Sequence, residues 1–172
     1  NKGFPKNHSE SVVALGFFDG IHLGHQAVLN QAYKIASEKK KPLRIITFYP
    51  HPQNSIRHHH TVKYITTYIE KYQKLQNFYP GCEVYFLRFN RELRHTLPDQ
   101  FLEMISQWFK PIVVVTGENF RFGYRNQGDQ AFLQTFYKSK GVDTAIIPSI
   151  SFDGMVLSST MIRHLIERGD IK

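Results

Sequence analysis

The sequence predicts an α/β protein built on a Rossmann-like open parallel sheet of about five strands, with helices on both faces. Three observations lead there. Short runs rich in Val, Ile and Leu, such as 12–15 and 112–115, alternate with stretches whose apolar residues recur at helical spacing. These runs are apolar at consecutive positions, so both faces of each strand need cover. The first run stops at Gly16-Phe17-Phe18-Asp19-Gly20-Ile21-His22-Leu23-Gly24-His25-Gln26, which reads as strand, tight turn and helix.

Residues 1–10 are polar and aperiodic, with Gly3 and Pro5, and form a loosely held lead-in. Strand one is expected over Ser11–Phe17. Helix one follows over Leu23–Lys39, with Ala27, Val28, Ala32, Ile35 and Ala36 on its apolar side. Pro42 ends it. Leu43–Tyr49 is strand two and runs into Pro50-His51-Pro52, where proline, lacking an amide hydrogen, stops the ladder. Thr66-Thr67 caps a helix reaching Phe78, Pro80-Gly81 stops it, and Glu83–Phe89 is strand three. Thr96-Leu97-Pro98-Asp99 opens the next helix with a hydroxyl cap, and Phe101, Ile105, Trp108 and Phe109 form its core stripe. Strand four covers Pro111–Thr116, a helix runs from Asp129 to Ser139, Gly141 breaks it, and Val142–Ile147 is strand five. A turn at Asp153-Gly154 precedes a last helix opened by Leu157-Ser158-Ser159-Thr160.

A chain of 172 residues, 41% hydrophobic and 14% aromatic, buries a core as one domain. Its apolar runs are too short to cross a bilayer and no signal-peptide pattern opens it, so a soluble, cytoplasmic protein with no membrane partner is expected. The single cysteine, Cys82, excludes an internal disulfide and a cysteine-built zinc site. A formal charge of +8 points to anionic partners without choosing among nucleotides, nucleic acid and acidic surfaces. Lys39-Lys40-Lys41 falls at a helix end, where cations complement the dipole. Arg57-His58-His59-His60 reads as a loop, because adjacent side chains do not converge on a metal.

Residues able to do chemistry gather where strands are expected to end. The glycines at 16, 20 and 24 let the backbone bend and approach a ligand, while the new helix aims unpaired amides at it. His22 and His25, three apart, share one face, and a phosphate suits such a site. Neither Gly-x-x-x-x-Gly-Lys-Ser/Thr nor Gly-x-Gly-x-x-Gly occurs. Zinc needs three or four ligands and Asp19 is the only carboxylate nearby, so no metal ligands are assigned. A plain turn shaped by glycine and histidine remains open at this point. His51 sits in a loop that opens on the same side. Gly117-Glu118-Asn119-Phe120-Arg121-Phe122-Gly123 combines an amide, a guanidinium and two rings, a set that holds a planar charged ligand or else tucks its rings into core. Ser158, Ser159 and Thr160 offer more hydroxyls than a cap needs, and Arg163 lies over the same helix end.

Gly-x-Phe-Asp-Gly-x-His-x-Gly-His-Gln (16–26), Pro-His-Pro (50–52), Gly-Glu-Asn-Phe-Arg-Phe-Gly (117–123) and Ser-Ser-Thr-x-Ile-Arg (158–163) together resemble the FMN adenylyltransferase module of bacterial bifunctional FAD synthetases, in the nucleotidyltransferase superfamily. The resemblance implies transfer of AMP from ATP to FMN, giving FAD and pyrophosphate with Mg²⁺ assisting, and no nucleic-acid partner. It implies catalytic roles for His22, His25, Ser159, Thr160 and Arg163. It implies ATP contacts at Gly16, Phe17, Phe18, Asp19, His22, Gly24, His25, Ser158, Ser159 and Arg163, and FMN contacts at Pro50, His51, Pro52, Asn119, Arg121, Phe122 and Gly123. Position 17 is Phe where the family often has Asn. The chain reads as a single domain over 1–172 without the family's riboflavin kinase half, so kinase activity is not expected. Rival readings are a related enzyme acting on phosphopantetheine, nicotinamide mononucleotide or glycerol phosphate, and a non-catalytic nucleic-acid binder.

Overall fold

β1 (Ser11–Leu15) is buried at every position and lies at the centre of a five-stranded sheet. The computed structural model describes residues 9–51, 54, 62–152 and 155–170. Residues 1–8 of the lead-in expected over 1–10, Pro52, the 57–60 loop and the 153–154 turn lie outside them. After β1 come α1 (Leu23–Lys39), β2 (Leu43–Tyr49), α2 (Tyr68–Phe78), β3 (Glu83–Arg88), α3 (Arg91–His95), α4 (Pro98–Phe109) and β4 (Pro111–Gly117). A 3₁₀ turn (Tyr124–Asn126), α5 (Gln130–Lys138), β5 (Asp143–Ile147), the short pair β6 (Ser151–Phe152) and β7 (Met155–Val156), and α6 (Ser159–Arg168) complete it. The main sheet is ordered β3-β2-β1-β4-β5, with every pairing parallel.

Alternate strand residues divide the core into two layers, as the two-residue period requires. Val12, Ala14 and Ile45 pack with Leu29 and Ala32 of α1 and Leu75 of α2. On the other face Val13, Leu15, Ile46 and Val114 pack with Leu102, Ile105 and Phe109 of α4 and with Leu133 and Tyr137 of α5. The expected covering of both faces is therefore present. α6 contributes no fully buried residue; its Met161, Ile162 and Leu165 are half-buried, and Ser159 and Arg163 add polar contacts.

Local chemistry explains most boundaries. Thr67 closes a reciprocal capping box with Glu70, Asp129 and Ser158 cap α5 and α6, and Lys40 ends α1 in a left-handed conformation at φ 52°. Strand one is shorter than expected. Gly16 still donates to the Ile46 carbonyl, but the Phe17 carbonyl accepts from Thr47 Oγ1 at 2.8 Å and Lys71 Nζ at 2.9 Å, so the ladder stops. Thr96 does not cap α4: its hydroxyl donates to the Glu92 carbonyl, and Gln100 Oε1 instead accepts from the Leu97 amide. The reason is α3, a turn capped by Asn90 and too short for its periodicity to register in sequence. At the opposite end of the sheet Arg44, 2% exposed within an otherwise apolar strand, is held by Glu83 and by the Ser9 and Phe109 carbonyls.

Leu102 is fully buried between α4 and the sheet. Leu102→Ala is expected to cost about 2–5 kcal/mol, read as a lower urea midpoint with an unchanged slope.

Candidate active site

The strand order places β1 beside β4, while the chain leaves those two strands in opposite directions across the sheet. A crevice opens at the carboxyl ends of such a pair. Here it is a cavity of about 340 Å³, walled by the turn after β1, the loop after β4, residues 147–150 after β5 and residues 157–159 before α6.

The turn is held in an unusual backbone path. Phe18, Gly20 and Ile21 have φ of 49°, 81° and 45°, a region that costs a β-branched residue such as Ile21 free energy. A Cβ at Gly16 would lie 2.5 Å from the Phe18 ring, so that ring folds over position 16 only because it is glycine. Asp19 sustains the path. It is 1% exposed and accepts from the amides of Ile65 and Thr66, from the Thr66 hydroxyl and, at 3.0 Å, from Arg163 Nη2. Ser159 Oγ donates to the Asp19 carbonyl at 3.0 Å, drawing the amino end of α6 onto the turn.

Two helix amino termini therefore face one cavity. Neither α1 nor α6 carries an acidic residue at its cap or in its first turn, whereas α2, α3 and α4 each carry one in the first turn and α5 is capped by Asp129. The positive ends at the cavity are thus left for an external anion. His22 caps α1, its Nδ1 accepting from the His25 amide, which assigns the ring proton to Nε2. The His22 and His25 rings stack at 3.6 Å. Burial pushes His22 below the usual histidine range and His25 well below it, the latter helped by the charges of His22 and Lys71. His25 Nδ1 and Arg163 Nε are buried without a hydrogen-bond partner among the described residues.

The far end of the cavity is aromatic. Phe17, Phe48, Phe89, Phe101, Phe120 and Phe122 line it, together with Asn119, Arg121 and Gly123. Phe122 serves both readings of its loop, being 5% exposed, part of the core and a cavity wall. Asn119 Nδ2 donates to Ser149 Oγ at 2.7 Å and the Ser149 amide donates to Glu118 Oε1, joining the loops after β4 and β5.

Of the sequence-derived candidates, Gly16, Phe17, Phe18, His22, Gly24, His25, Asn119, Arg121, Phe122, Gly123, Ser158 and Ser159 line this cavity. Asp19, within the turn, and Arg163 do not line it and are bonded to each other, and Thr160 is exposed on α6. Pro50 and His51 stand beyond Phe17. The His51 ring lies 4.6 Å from the Phe17 ring and its amide donates to the Tyr64 hydroxyl. Burial, with Arg163 next in importance, lowers the His51 pKa to about 4. Sequence reasoning missed Lys71, Thr66 and residues 147–150. For Lys71 the signal was present: it precedes the buried Leu75 and Tyr79 by four and eight residues, a lysine on an apolar stripe. Among the described residues no three His, Cys, Asp or Glu side chains converge as a metal site.

Removing the charge of Asp19 strands Arg163, so Asp19→Asn is expected to cost about 3–5 kcal/mol in urea unfolding. The lowered imidazole pKa values set a pH dependence. Between about 4 and the ordinary 6.5 the unfolded chain binds the His51 proton and the folded chain does not, so stability falls as pH drops through that window. His51→Gln is expected to flatten this fall in urea melts taken between pH 4 and 6.5; an unchanged slope assigns it to other groups.

The bifunctional riboflavin kinase/FMN adenylyltransferase of Listeria monocytogenes is 32% identical over 165 residues, covering 94% of this chain and 51% of that protein. The Bacillus subtilis protein of the same description is 30% identical over 169 residues, with 97% and 52% covered. The chain thus spans about half the length of these curated relatives. A solved structure described as a macrolide-efflux protein from Streptococcus pneumoniae superposes with a TM-score of 0.82 at 28% identity, over 92% of this chain and 51% of that one. No described helix here is long and apolar enough to cross a membrane. The profile of the FAD synthetase family matches residues 4–161, spanning the 16–26 turn, the 117–123 loop and the start of α6, and the chain belongs to that family.

Proposed function

We propose that the chain transfers the AMP of ATP to the phosphate of FMN, forming FAD and pyrophosphate. The observation that carries the reading is one cavity joining two acid-free helix amino termini to an aromatic compartment. The first suits a polyphosphate and the second a flavin ring. The names of the relatives, FMN adenylyltransferase and FAD synthetase, support the same reading.

An FMN phosphate oxygen is already an anionic nucleophile, so no Ser, Cys or general base is needed. It attacks the α-phosphorus, the bond from that phosphorus to the bridging oxygen breaks, and pyrophosphate departs with the electron pair. The protein's work is to align the two phosphates and stabilise charge growing on the leaving group. His22, donating through Nε2, and His25 meet the ATP phosphates. The α6 amino end, with Ser158, Ser159 and Thr160, receives pyrophosphate, and Arg163 contributes positive charge from behind Asp19. Asn119 and Arg121 contact FMN at the aromatic end, while Pro50 and His51 lie outside the cavity lining, His51 against Phe17.

Asp19, the one carboxylate of the turn, has its oxygens taken by Ile65, Thr66 and Arg163. Mg²⁺ therefore enters as part of the MgATP substrate, held by phosphates and water, and supplies further charge neutralisation there. A cytoplasmic setting, rich in MgATP, suits this chemistry.

The test is to mix ATP, FMN and Mg²⁺ with the protein and follow FAD by chromatography. His25→Ala is expected to lower kcat/KM by roughly 10²–10³ with an unchanged circular dichroism spectrum. Asn119→Ala is expected to raise the KM for FMN more than that for ATP, and an ATP-only defect reassigns the loop. Unreacted FMN alongside adenylylated nicotinamide mononucleotide or phosphopantetheine would replace the acceptor.

A further inference from the structure

Lys71, in the first half of α2, is 3% exposed, yet its ammonium makes a single hydrogen bond among the described residues, to the Phe17 carbonyl at 2.9 Å. An ammonium carries three donors. It otherwise lies over the rings of Phe17 and Phe86, at 5.8 and 6.0 Å. The nearest carboxylate whose charge it feels, Asp19, is ion-paired to Arg163 instead. A cation so deeply buried and so sparsely partnered is costly to keep, and it stands directly behind the turn that faces the phosphates.

What it holds matters for that turn. Because a trans peptide sets its C=O and N–H in opposite directions, fixing the Phe17 carbonyl toward Lys71 and Thr47 aims the Phe18 amide the other way. That amide has no partner among the described residues, and Phe17 and Phe18 both wall the cavity. The groups sensing the Lys71 charge come from three further elements: Asp19 in the turn, His25 on α1 and His51 after β2.

We propose that Lys71 is a positioning residue for adenylyl transfer, its charged ammonium anchoring the Phe17 carbonyl so that the Phe18 amide is presented to the ATP phosphates. The inference rests on the adenylyl-transfer reading above. Burial brings the ammonium down to about 8, with Asp19 partly offsetting it, so the anchor weakens within a measurable pH range.

The experiment compares wild type, Lys71→Arg and Lys71→Met in FAD formation from pH 6 to 10, with MgATP titration calorimetry and NMR titration of the histidines. In wild type, kcat/KM is expected to fall above about pH 8. Lys71→Arg, whose guanidinium stays charged, shifts that fall upward. Lys71→Met lowers kcat/KM and MgATP affinity by about tenfold or more and abolishes the fall. In the same variant His25 and His51 titrate at higher pH, as loss of a neighbouring cation requires; loosened packing would raise them as well, and the Lys71→Arg profile separates the two. Wild-type kcat/KM with an unmoved alkaline limb in Lys71→Met, or an alkaline limb at the same pH in Lys71→Arg, overturns the proposal. No FAD from wild type overturns the adenylyl-transfer reading instead, while MgATP affinity and the histidine titrations still report on Lys71.

Discussion

A carboxylate taken out of water must be surrounded by donors, and that requirement at Asp19 shapes the whole site. Its oxygens gather the amides that precede α2, the Thr66 hydroxyl and the Arg163 guanidinium, so three segments distant in sequence meet at the end of β1. The consequence is largest for α6. With no fully buried side chain of its own, this helix is tied to the turn by Arg163 and by the Ser159 hydroxyl on the Asp19 carbonyl. A buried pair of this kind is a modest source of stability, but breaking it leaves a charge stranded, and so it specifies one arrangement.

Around that clamp the site collects positive potential with little negative charge to cancel it. The amino ends of α1 and α6 lack first-turn acids, Arg163 and Lys71 stand behind the turn, and the surplus of cations over the whole chain has the same sign. Burial keeps the three imidazoles below the ordinary histidine range, and an anion beside them would favour their charged forms.

The sheet supplies the place and the loops supply the chemistry. Strand order separates the crossovers around β1 and β4, which opens the crevice. Two helix amino termini form part of its wall and aromatic side chains from the loops, β2 and α4 another part, with Phe17 between the cavity and His51. Membership of the FAD synthetase family fits both parts of that wall.

The sequence by itself determined the five main strands, the limits of α1 and α2, hydroxyl caps within Thr66-Thr67 and Ser158-Ser159-Thr160, and the gathering of the 16–26 and 117–123 segments at one sheet edge. Those features are encoded within a few residues, by apolar periodicity, proline and glycine punctuation, and capping hydroxyls. It missed α3 and misassigned Thr96, because one five-residue helical turn has no period to detect. Only the tertiary structure decided that Asp19 faces inward to a partner 144 residues away, and that Lys71 leaves solvent to hold a backbone carbonyl 54 residues behind it. The partners of a buried charge depend on which elements pack around it, and that is settled by the closing of the whole core, beyond the reach of any local pattern.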